Sequence, residues 1–287
     1  YHEPNYLALP YHGSLVLTVC DLSCFDHPQT HPQDRVRLME KHLPESLERA
    51  DQIIVISKAS GDALQRWFSI EPSRITTTYL AADARFRPRD AAALVPTLAG
   101  LGLAPGQYIL SVGTLEPRKN LGTLFAAYGR LPARLRAIYP LIVAGMRGWL
   151  TGQLLKSAED MLKRQEIRLL GYVPDAQIPP LFAGAAVFCY PSRYEGFGLP
   201  IAEAMARGCP VMVADNSSQA EVGGATAILV RDDSVEGMAE QLTEALADRQ
   251  ALLERGRESR ERAGELSWAA TARGTTDAWR EALGLHR

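Results

Sequence analysis

The sequence predicts an α/β fold built on parallel sheets that are covered by helices on both faces. Short apolar runs alternate with helical stretches through most of the 287 residues. These runs are continuously apolar, which is typical of strands buried on both faces of a parallel sheet. The chain is 46% hydrophobic and 22% charged, so it can bury a large core, and its length suits two domains.

The first part of the chain, residues 1–86, carries three predicted strands and two predicted helices. The strands are 15–20, 52–56 and 74–79, and the helices are 32–50 and the stretch from Ser57 to Trp67. Pro44 predicts an interruption of the first helix, because proline lacks the N–H that a helix interior needs. Ser57 suits the N-cap of the second helix, because its hydroxyl can accept a bond from a free backbone N–H.

The second part of the chain follows a stretch, residues 87–106, that is rich in Ala, Pro and Gly and predicts a linker with a short helix. A second domain then spans residues 107–267. Its predicted strands are 108–112, 140–144, 167–170, 186–190, 211–214 and 227–230, and its predicted helices are 120–129, 151–164, 201–207, 235–247 and 249–263. Residues 268–287 predict a last helix that packs back on the N-terminal domain.

Composition excludes several classes of protein. The net charge is −2, so no overall attraction to nucleic acid is expected. Four cysteines without a CxxC pair indicate a reducing compartment, and we expect a cytoplasmic protein. No apolar run is long enough to span a membrane, while peripheral contact with the inner face of the membrane stays open. His27 and His31 have metal-like spacing, but Pro28 and Pro32 argue against the helix that would align them, and no metal is expected.

The most informative segment is 194–203, in which a glycine-rich turn separates Glu195 from Glu203. An apolar strand precedes the turn and a helix follows it, so the free N–H groups and the helix dipole would attract an anion. Pro200 has no N–H, so the donors would be the amides of residues 197–199, namely Phe197, Gly198 and Leu199. Two readings compete with a phosphate site: surface acids beside a turn, or the carboxylate pair of a hydrolase.

A second candidate is the cation pair Arg118 and Lys119, which follows the first strand of the second domain. Ligands of open α/β sheets bind beyond the carboxyl ends of the strands. An Arg fork and a Lys point charge together suit a diphosphate. The alternative is a pair of solvated loop cations.

Two weaker candidates also follow predicted strands. The loop Gly171 to Asp175 could read a nucleotide base through the backbone of Val173, or it could be an ordinary connection. Asp21 ends a strand and could face a ligand, or it could be a turn or N-cap aspartate.

Three segments together resemble one family. VGTLEPRKNL, PSRYEGFGLPIAEAMARGCPV and NSSQAEVGG are similar to glycosyltransferase family 4, and the separation of Glu195 from Glu203 matches its E-x7-E pattern. The pieces TVCDLS, HPQTHP and LAADARFRP resemble mannosyltransferases of bacterial surface-polysaccharide assembly. The resemblance implies the GT-B fold, with two Rossmann-like domains whose parallel sheets face a cleft, and retaining transfer from a nucleotide sugar.

The resemblance also implies roles for the candidates. Glu195 would hold hydroxyls of the donor sugar, and Glu203 would bind the ribose hydroxyls. Arg118 and Lys119 would neutralise the departing diphosphate, helped by the amides of residues 197–199. Val173 would meet the base and Asp21 the nucleotide sugar. No cofactor or metal is expected.

Three departures from the family pattern limit these implications. Cys20 stands where relatives usually carry His, and Thr114 stands where many carry Arg. The family's first strands and glycine-rich loop are not found, so residues 1–86 are expected to form a partial acceptor-side domain. We therefore expect this chain alone to bind nucleotide without transferring sugar.

The expected function is transfer of a sugar, most simply mannose from GDP-mannose, to a glycan or lipid-linked acceptor in polysaccharide assembly. The alternative is a nucleotide-sugar-binding module without transferase activity, which Cys20 favours. A GT-B epimerase fits the segments around Arg118 and Glu195 poorly. The sequence does not indicate an oligomeric state.

Overall fold

The computed structural model describes residues 1–86, 91–148, 151–231 and 234–285. The chain forms two compact units. The first unit comprises Tyr1–Ala81, Tyr194–Gly198 and Leu266–Arg287, and the second comprises Ala82–Arg193 and Leu199–Glu265. The start of the expected linker, residues 87–90, and the end of the expected last helix, residues 286–287, lie outside the described residues.

The described strands and helices are numbered here in chain order. The strands are β1 (His2–Glu3), β2 (Val16–Val19), β3 (Gln52–Val55), β4 (Ile75–Thr77), β5 (Ile109–Val112), β6 (Leu141–Ala144), β7 (Ile167–Gly171), β8 (Val187–Tyr190), β9 (Val211–Ala214) and β10 (Ile228–Val230). The α-helices are α1 (Ser23–Asp26), α2 (Gln33–Arg49), α3 (Lys58–Phe68), α4 (Val95–Gly100), α5 (Leu121–Gly129), α6 (Ala133–Ile138), α7 (Gly152–Ser157), α8 (Glu159–Lys163), α9 (Ile178–Gly184), α10 (Leu199–Ala206), α11 (Ser217–Gly223), α12 (Val235–Ala247), α13 (Arg249–Glu265) and α14 (Trp268–Ala282).

The first unit is built on a parallel sheet with the strand order β1-β2-β3-β4. Leu17 and Ile53, from the two central strands, are fully buried together with Leu43 of α2 and Leu64 of α3. The helix α3 begins as the sequence predicts, because the Ser57 hydroxyl accepts a hydrogen bond from the backbone N–H of a residue in the first turn.

The helix α2 corrects one prediction, because it runs without interruption through Pro44. Proline removes one backbone hydrogen bond from a helix interior, which is a local cost. The apolar face of α2 offsets that cost, since Met39, Leu43 and Leu47 are all buried against the sheet of the first unit. Burial of a continuous apolar face therefore outweighs the proline.

The last helix, α14, packs on the sheet of the first unit. Ala278 is fully buried between Val16 and Ile54. A Cβ added at Gly274 would lie 2.7 Å from a methyl group of Thr78, so the helix approaches the chain after β4 closely. The C-terminal end of the chain thus completes the N-terminal unit.

The second unit is built on a six-stranded parallel sheet with the order β10-β9-β8-β5-β6-β7. From β5 the chain adds β6 and β7 on one side, and then returns to place β8 on the other side, so the strand order reverses between β5 and β8. In open parallel sheets, such a reversal opens a crevice beyond the carboxyl ends of the strands, and ligands bind there.

Short helices in the second unit account for the remaining differences from the sequence analysis. The stretch predicted as one helix over 151–164 is two helices, α7 and α8, with a break at the buried Ala158. The helices α6, α9 and α11 were not predicted, because six or seven residues carry too little periodicity to be recognised. The described part of the expected linker belongs to the second unit, where Leu98 of α4 is fully buried.

Candidate functional site

The loop that carries Arg118 and Lys119 leaves the carboxyl end of β5, at the reversal of strand order. It is joined to the loop after β6 by backbone hydrogen bonds that extend the pairing of the two strands. The N–H of Gly113 donates to Ala144 O at 2.9 Å and the N–H of Leu115 donates to Met146 O at 2.9 Å. The N–H of Gly148 donates back to Leu115 O at 2.9 Å. The two loops therefore form one surface.

Glycines allow the two loops to come this close. At Gly145, where φ is 151°, an added Cβ would lie 1.9 Å from the carbonyl oxygen of Gly113. At Gly148 an added Cβ would lie 2.5 Å from the carbonyl oxygen of Leu115. Neither position can hold a side chain without moving backbone, so the approach of the loops depends on both glycines.

Both predicted cations lie in a 3₁₀ turn, Pro117–Lys119, and each has a specific partner. A guanidinium nitrogen of Arg118 donates to a carboxylate oxygen of Glu116 at 2.7 Å, and the two side chains are only 18% and 8% exposed. The ammonium of Lys119 donates to the hydroxyl of Tyr190 at 2.6 Å and lies 4.8 Å from the centre of its ring. Tyr190 ends β8, so Lys119 bridges the two strands of the reversal.

The segment after β8 also reaches the loop of Arg118 through the backbone. The N–H of Arg193, three residues after β8, donates to the carbonyl oxygen of Arg118 at 2.8 Å. The stem of Lys119 passes over Gly113, where an added Cβ would lie 3.4 Å from its Cε. The cations are therefore fixed at the carboxyl ends of β5 and β8, where an anionic ligand would be expected.

Glu203 lies one turn into α10, which begins at Leu199, two residues before the start predicted from the sequence. Burial raises the pKa of this carboxyl to about 7, the Arg85 guanidinium lowers it, and the carboxylates of Asp83 and Asp175 raise it. At neutral pH, the carboxyl of Glu203 is therefore partly protonated and partly ionised. An ionised carboxylate in such a place is a strong hydrogen-bond acceptor for hydroxyl groups.

The loop with Val173 is connected to Glu203 through charged side chains. Arg85 forms an ion pair with Asp175 at 2.9 Å, and both charges act on Glu203. Val173 itself is 7% exposed, so its side chain is held inside the second unit. The structure thus brings Glu203 and the loop after β7 together around one arginine.

The segment Tyr194–Gly198, with Glu195, belongs to the first unit. Glu195 is 8% exposed. An added Cβ at Gly196 would lie 2.3 Å from the carbonyl oxygen of Cys20, so the two backbones touch. The hydroxyl of Ser60 donates to Cys20 O at 3.1 Å and lies 3.4 Å from Gly196 O, and it therefore holds both segments at the N-terminus of α3.

Asp21 lies in the same part of the first unit as Glu195. Its carboxylate accepts hydrogen bonds from the N–H and the hydroxyl of Ser23, at 2.9 and 2.6 Å, which is the turn geometry that the sequence offered as the alternative to a ligand role. The neighbouring thiol, Cys20, is partly buried, and burial raises its pKa. Cys20 is therefore a neutral thiol at neutral pH.

The predicted site residues fall into both units. Asp21, Glu195, Phe197 and Gly198 belong to the first, and Arg118, Lys119, Val173, Leu199 and Glu203 belong to the second. Four residues that contact or act on the predicted ones were not predicted in that role from the sequence: Arg85, Glu116, Asp175 and Tyr190. Arg85 and Asp175 are 90 residues apart in the chain, and no local pattern signals their pairing.

Among the described residues, no group of three or more His, Cys, Asp or Glu residues could hold a metal ion. Within the same residues, no helix is long and apolar enough to cross a membrane.

Comparison with known proteins identifies relatives by sequence. The family model of glycosyl transferases group 1 matches residues 103–265. The O-antigen chain mannosyltransferase B of Escherichia coli is 43% identical over 249 residues, which cover 86% of this chain and 65% of that protein. The D-inositol 3-phosphate glycosyltransferase of Nocardia farcinica is 32% identical over 246 residues, which cover 83% of this chain and 54% of that protein. The chain thus spans less than two thirds of these relatives.

Solved structures show the same fold at low sequence identity. Anabaena HepE in complex with UDP and glucose has a TM-score of 0.78 at 19% identity, over 93% of this chain and 71% of that chain. WaaG, a glycosyltransferase involved in lipopolysaccharide biosynthesis, has a TM-score of 0.76 at 18% identity, over 96% of this chain and 76% of that chain. With its two parallel sheets and its sequence relatives, the chain belongs to the glycosyl transferases group 1 family, has the GT-B fold, and is related to bacterial O-antigen mannosyltransferases.

Proposed function

We propose that the protein is part of a retaining transferase that moves mannose from GDP-mannose to a glycan or lipid-linked acceptor in polysaccharide assembly. The observation that carries the proposal is the position of Arg118 and Lys119 at the reversal of strand order, held by Glu116 and Tyr190. Mannose and the acceptor class are supported by the 43% identity to an O-antigen chain mannosyltransferase. A nucleotide donor is supported by the fold shared with a protein that binds UDP and glucose.

The chemistry of the proposal centres on a departing diphosphate. As the bond between the sugar and the diphosphate breaks, positive charge develops on the sugar and negative charge on the leaving oxygen. Fixed cations stabilise that negative charge without having to reorganise during the reaction. Arg118 and Lys119 supply this charge in the proposal, together with the amides of Phe197, Gly198 and Leu199, and no metal ion is assigned a role.

Other residues are proposed to bind the nucleoside and the donor sugar. Glu203 accepts hydrogen bonds from the ribose hydroxyls, and the loop of Val173 meets the base. Support comes from the half-buried position of Glu203 and from its shared neighbours in the loop after β7. Glu195 holds hydroxyls of the donor sugar, and Asp21 lies close to it in the first unit.

A calorimetric screen tests the donor part of the proposal. The chain is titrated with GDP-mannose, GDP, UDP-glucose and UDP. We expect binding of GDP-mannose and GDP, with weaker binding of the uridine nucleotides. If none of the four binds, the nucleotide-sugar assignment is wrong; if the uridine nucleotides bind tighter, GDP-mannose is the wrong donor.

A second candidate function is a nucleotide-sugar-binding module without transferase activity. The neutral thiol of Cys20 favours it, because a thiol is a weak hydrogen-bond donor and acceptor beside the Asp21 and Gly196 segments. An assay of the complete protein with GDP-mannose and a lipid-linked acceptor separates the two functions. The transferase proposal requires turnover by the complete protein, whereas this chain alone is proposed to bind nucleotide without turnover.

A further inference from the structure

Arg147 lies in the loop after β6, in direct register with the loop that carries Arg118 and Lys119. Arg147 pairs with Leu115 in a parallel bridge. Its two neighbours in the chain, Met146 and Gly148, form the backbone hydrogen bonds to Leu115. The close backbone approach at Gly145 fixes the start of this loop. The position of Arg147 is therefore set by the backbone and does not depend on its own side chain.

The two predicted cations are already engaged within the protein. A guanidinium nitrogen of Arg118 lies 2.7 Å from a carboxylate oxygen of Glu116, and both side chains are mostly buried. The ammonium of Lys119 donates to the hydroxyl of Tyr190. A diphosphate carries more than one negative charge, so a further cation at this edge of the sheet would help to neutralise it.

Arg147 can supply a further positive charge. Its side chain is exposed, and no hydrogen bond or ion pair joins that side chain to any other residue in the parts of the chain that the structure describes. A guanidinium offers two parallel donors that match phosphate oxygens. An exposed arginine on a rigid backbone support, beside the predicted diphosphate site, has the properties of an anion-binding group.

We propose that Arg147 is a third phosphate-binding cation, which contacts the diphosphate of the nucleotide together with Lys119 and Arg118. The proposal rests on the function proposed above, because it requires a nucleoside diphosphate at the carboxyl end of β5. It adds a residue from a different loop, the one that is hydrogen-bonded to the loop after β5.

Calorimetry with matched variants tests this role. GDP and guanosine are titrated into the chain and into Arg147→Ala, Arg147→Lys and Arg134→Ala. Arg134 is the control, because it is also an exposed arginine of the second unit but lies in α6, which leads into the opposite, amino end of β6. Thermal melting of each variant checks that folding is unchanged.

We expect Arg147→Ala to weaken GDP binding about tenfold, as for the loss of a charge-assisted contact, and to leave guanosine binding unchanged. Arg147→Lys should retain most of the affinity for GDP, and Arg134→Ala all of it. Equal GDP affinity in Arg147→Ala and the parent would overturn the proposal, and so would an equal loss for guanosine. Failure of the parent chain itself to bind GDP would instead contradict the proposed function.

Discussion

Among single residues, Glu203 offers the sharpest test, because its ionisation is coupled to both folding and binding. Its pKa in the folded protein is about 7, above the usual value of 4.5, mainly because of burial. The folded state therefore keeps a proton that the unfolded state has already lost between these two values. It follows that the contribution of Glu203 to the unfolding free energy is fully present below pH 4.5 and decreases as the pH rises to about 7.

Nucleoside binding should have the opposite dependence on pH. In the proposed site the ionised carboxylate accepts hydrogen bonds from the ribose hydroxyls, so guanosine affinity should increase as the pH rises through about 7. Guanosine is the ligand to use, because it has no phosphate that titrates nearby. Calorimetry across this range should show the increase in the parent and a flat profile in Glu203→Gln; the same slope in both would assign the titration to another group.

Removing the carboxylate should weaken nucleotide binding. Glu203→Ala is expected to cost about 1.5–3 kcal/mol of GDP binding free energy, the scale of hydrogen bonds to a charged group. Titration calorimetry of the variant and the parent gives this difference directly. Equal affinities would show that the ribose is bound by another residue.

Among the secondary-structure elements, the sequence predicts those with long or continuous apolar patterns best. The strand β9 and the helix α12 have the predicted bounds. The strand is an unbroken apolar run and the helix has a regular 3.6-residue period, so each pattern predicts a single type of element. The break at Ala158 and the continuity of α2 through Pro44 depend on packing with distant residues. The same limit applies to the site. Arg118 and Lys119 are predictable because they directly follow a strand, whereas the ion pair of Arg85 and Asp175 joins residues that are distant in the sequence and forms only on folding.

The joined loops after β5 and β6 lead to a stability prediction. Gly145→Ala should destabilise the protein by roughly 2–4 kcal/mol, because alanine is strained at a φ of 151° and its Cβ would overlap Gly113 O. Gly152→Ala is the matched control, since no atom of the described residues lies within 4 Å of a Cβ added there and Gly152 begins α7. Denaturant unfolding should separate the two variants clearly. Similar stabilities would mean that the loops tolerate separation.

At the scale of the whole molecule, the matched family region contains nearly all of the residues proposed for the donor site. The family model covers residues 103–265, which includes both cations and Glu203, while Asp21 lies outside that range. The chain spans 65% of the E. coli mannosyltransferase. Sugar transfer is therefore proposed for the complete protein. Its rate is the measurement that tests whether the cations neutralise the departing diphosphate.

The complete protein should transfer sugar without a divalent metal ion. In the proposed mechanism, the fixed cations at the carboxyl end of β5 neutralise the diphosphate in place of a divalent ion, so activity should survive EDTA. Arg118→Ala should lower kcat by roughly 10²–10³, the cost of losing one fixed group at the developing charge. This decrease in kcat should be larger than the decrease caused by Arg134→Ala, which removes an exposed arginine from α6. The measurement is the rate of mannose transfer with and without EDTA, for the parent and both variants. A strict requirement for Mg²⁺ or Mn²⁺ would show that the cations of this loop do not neutralise the leaving group by themselves.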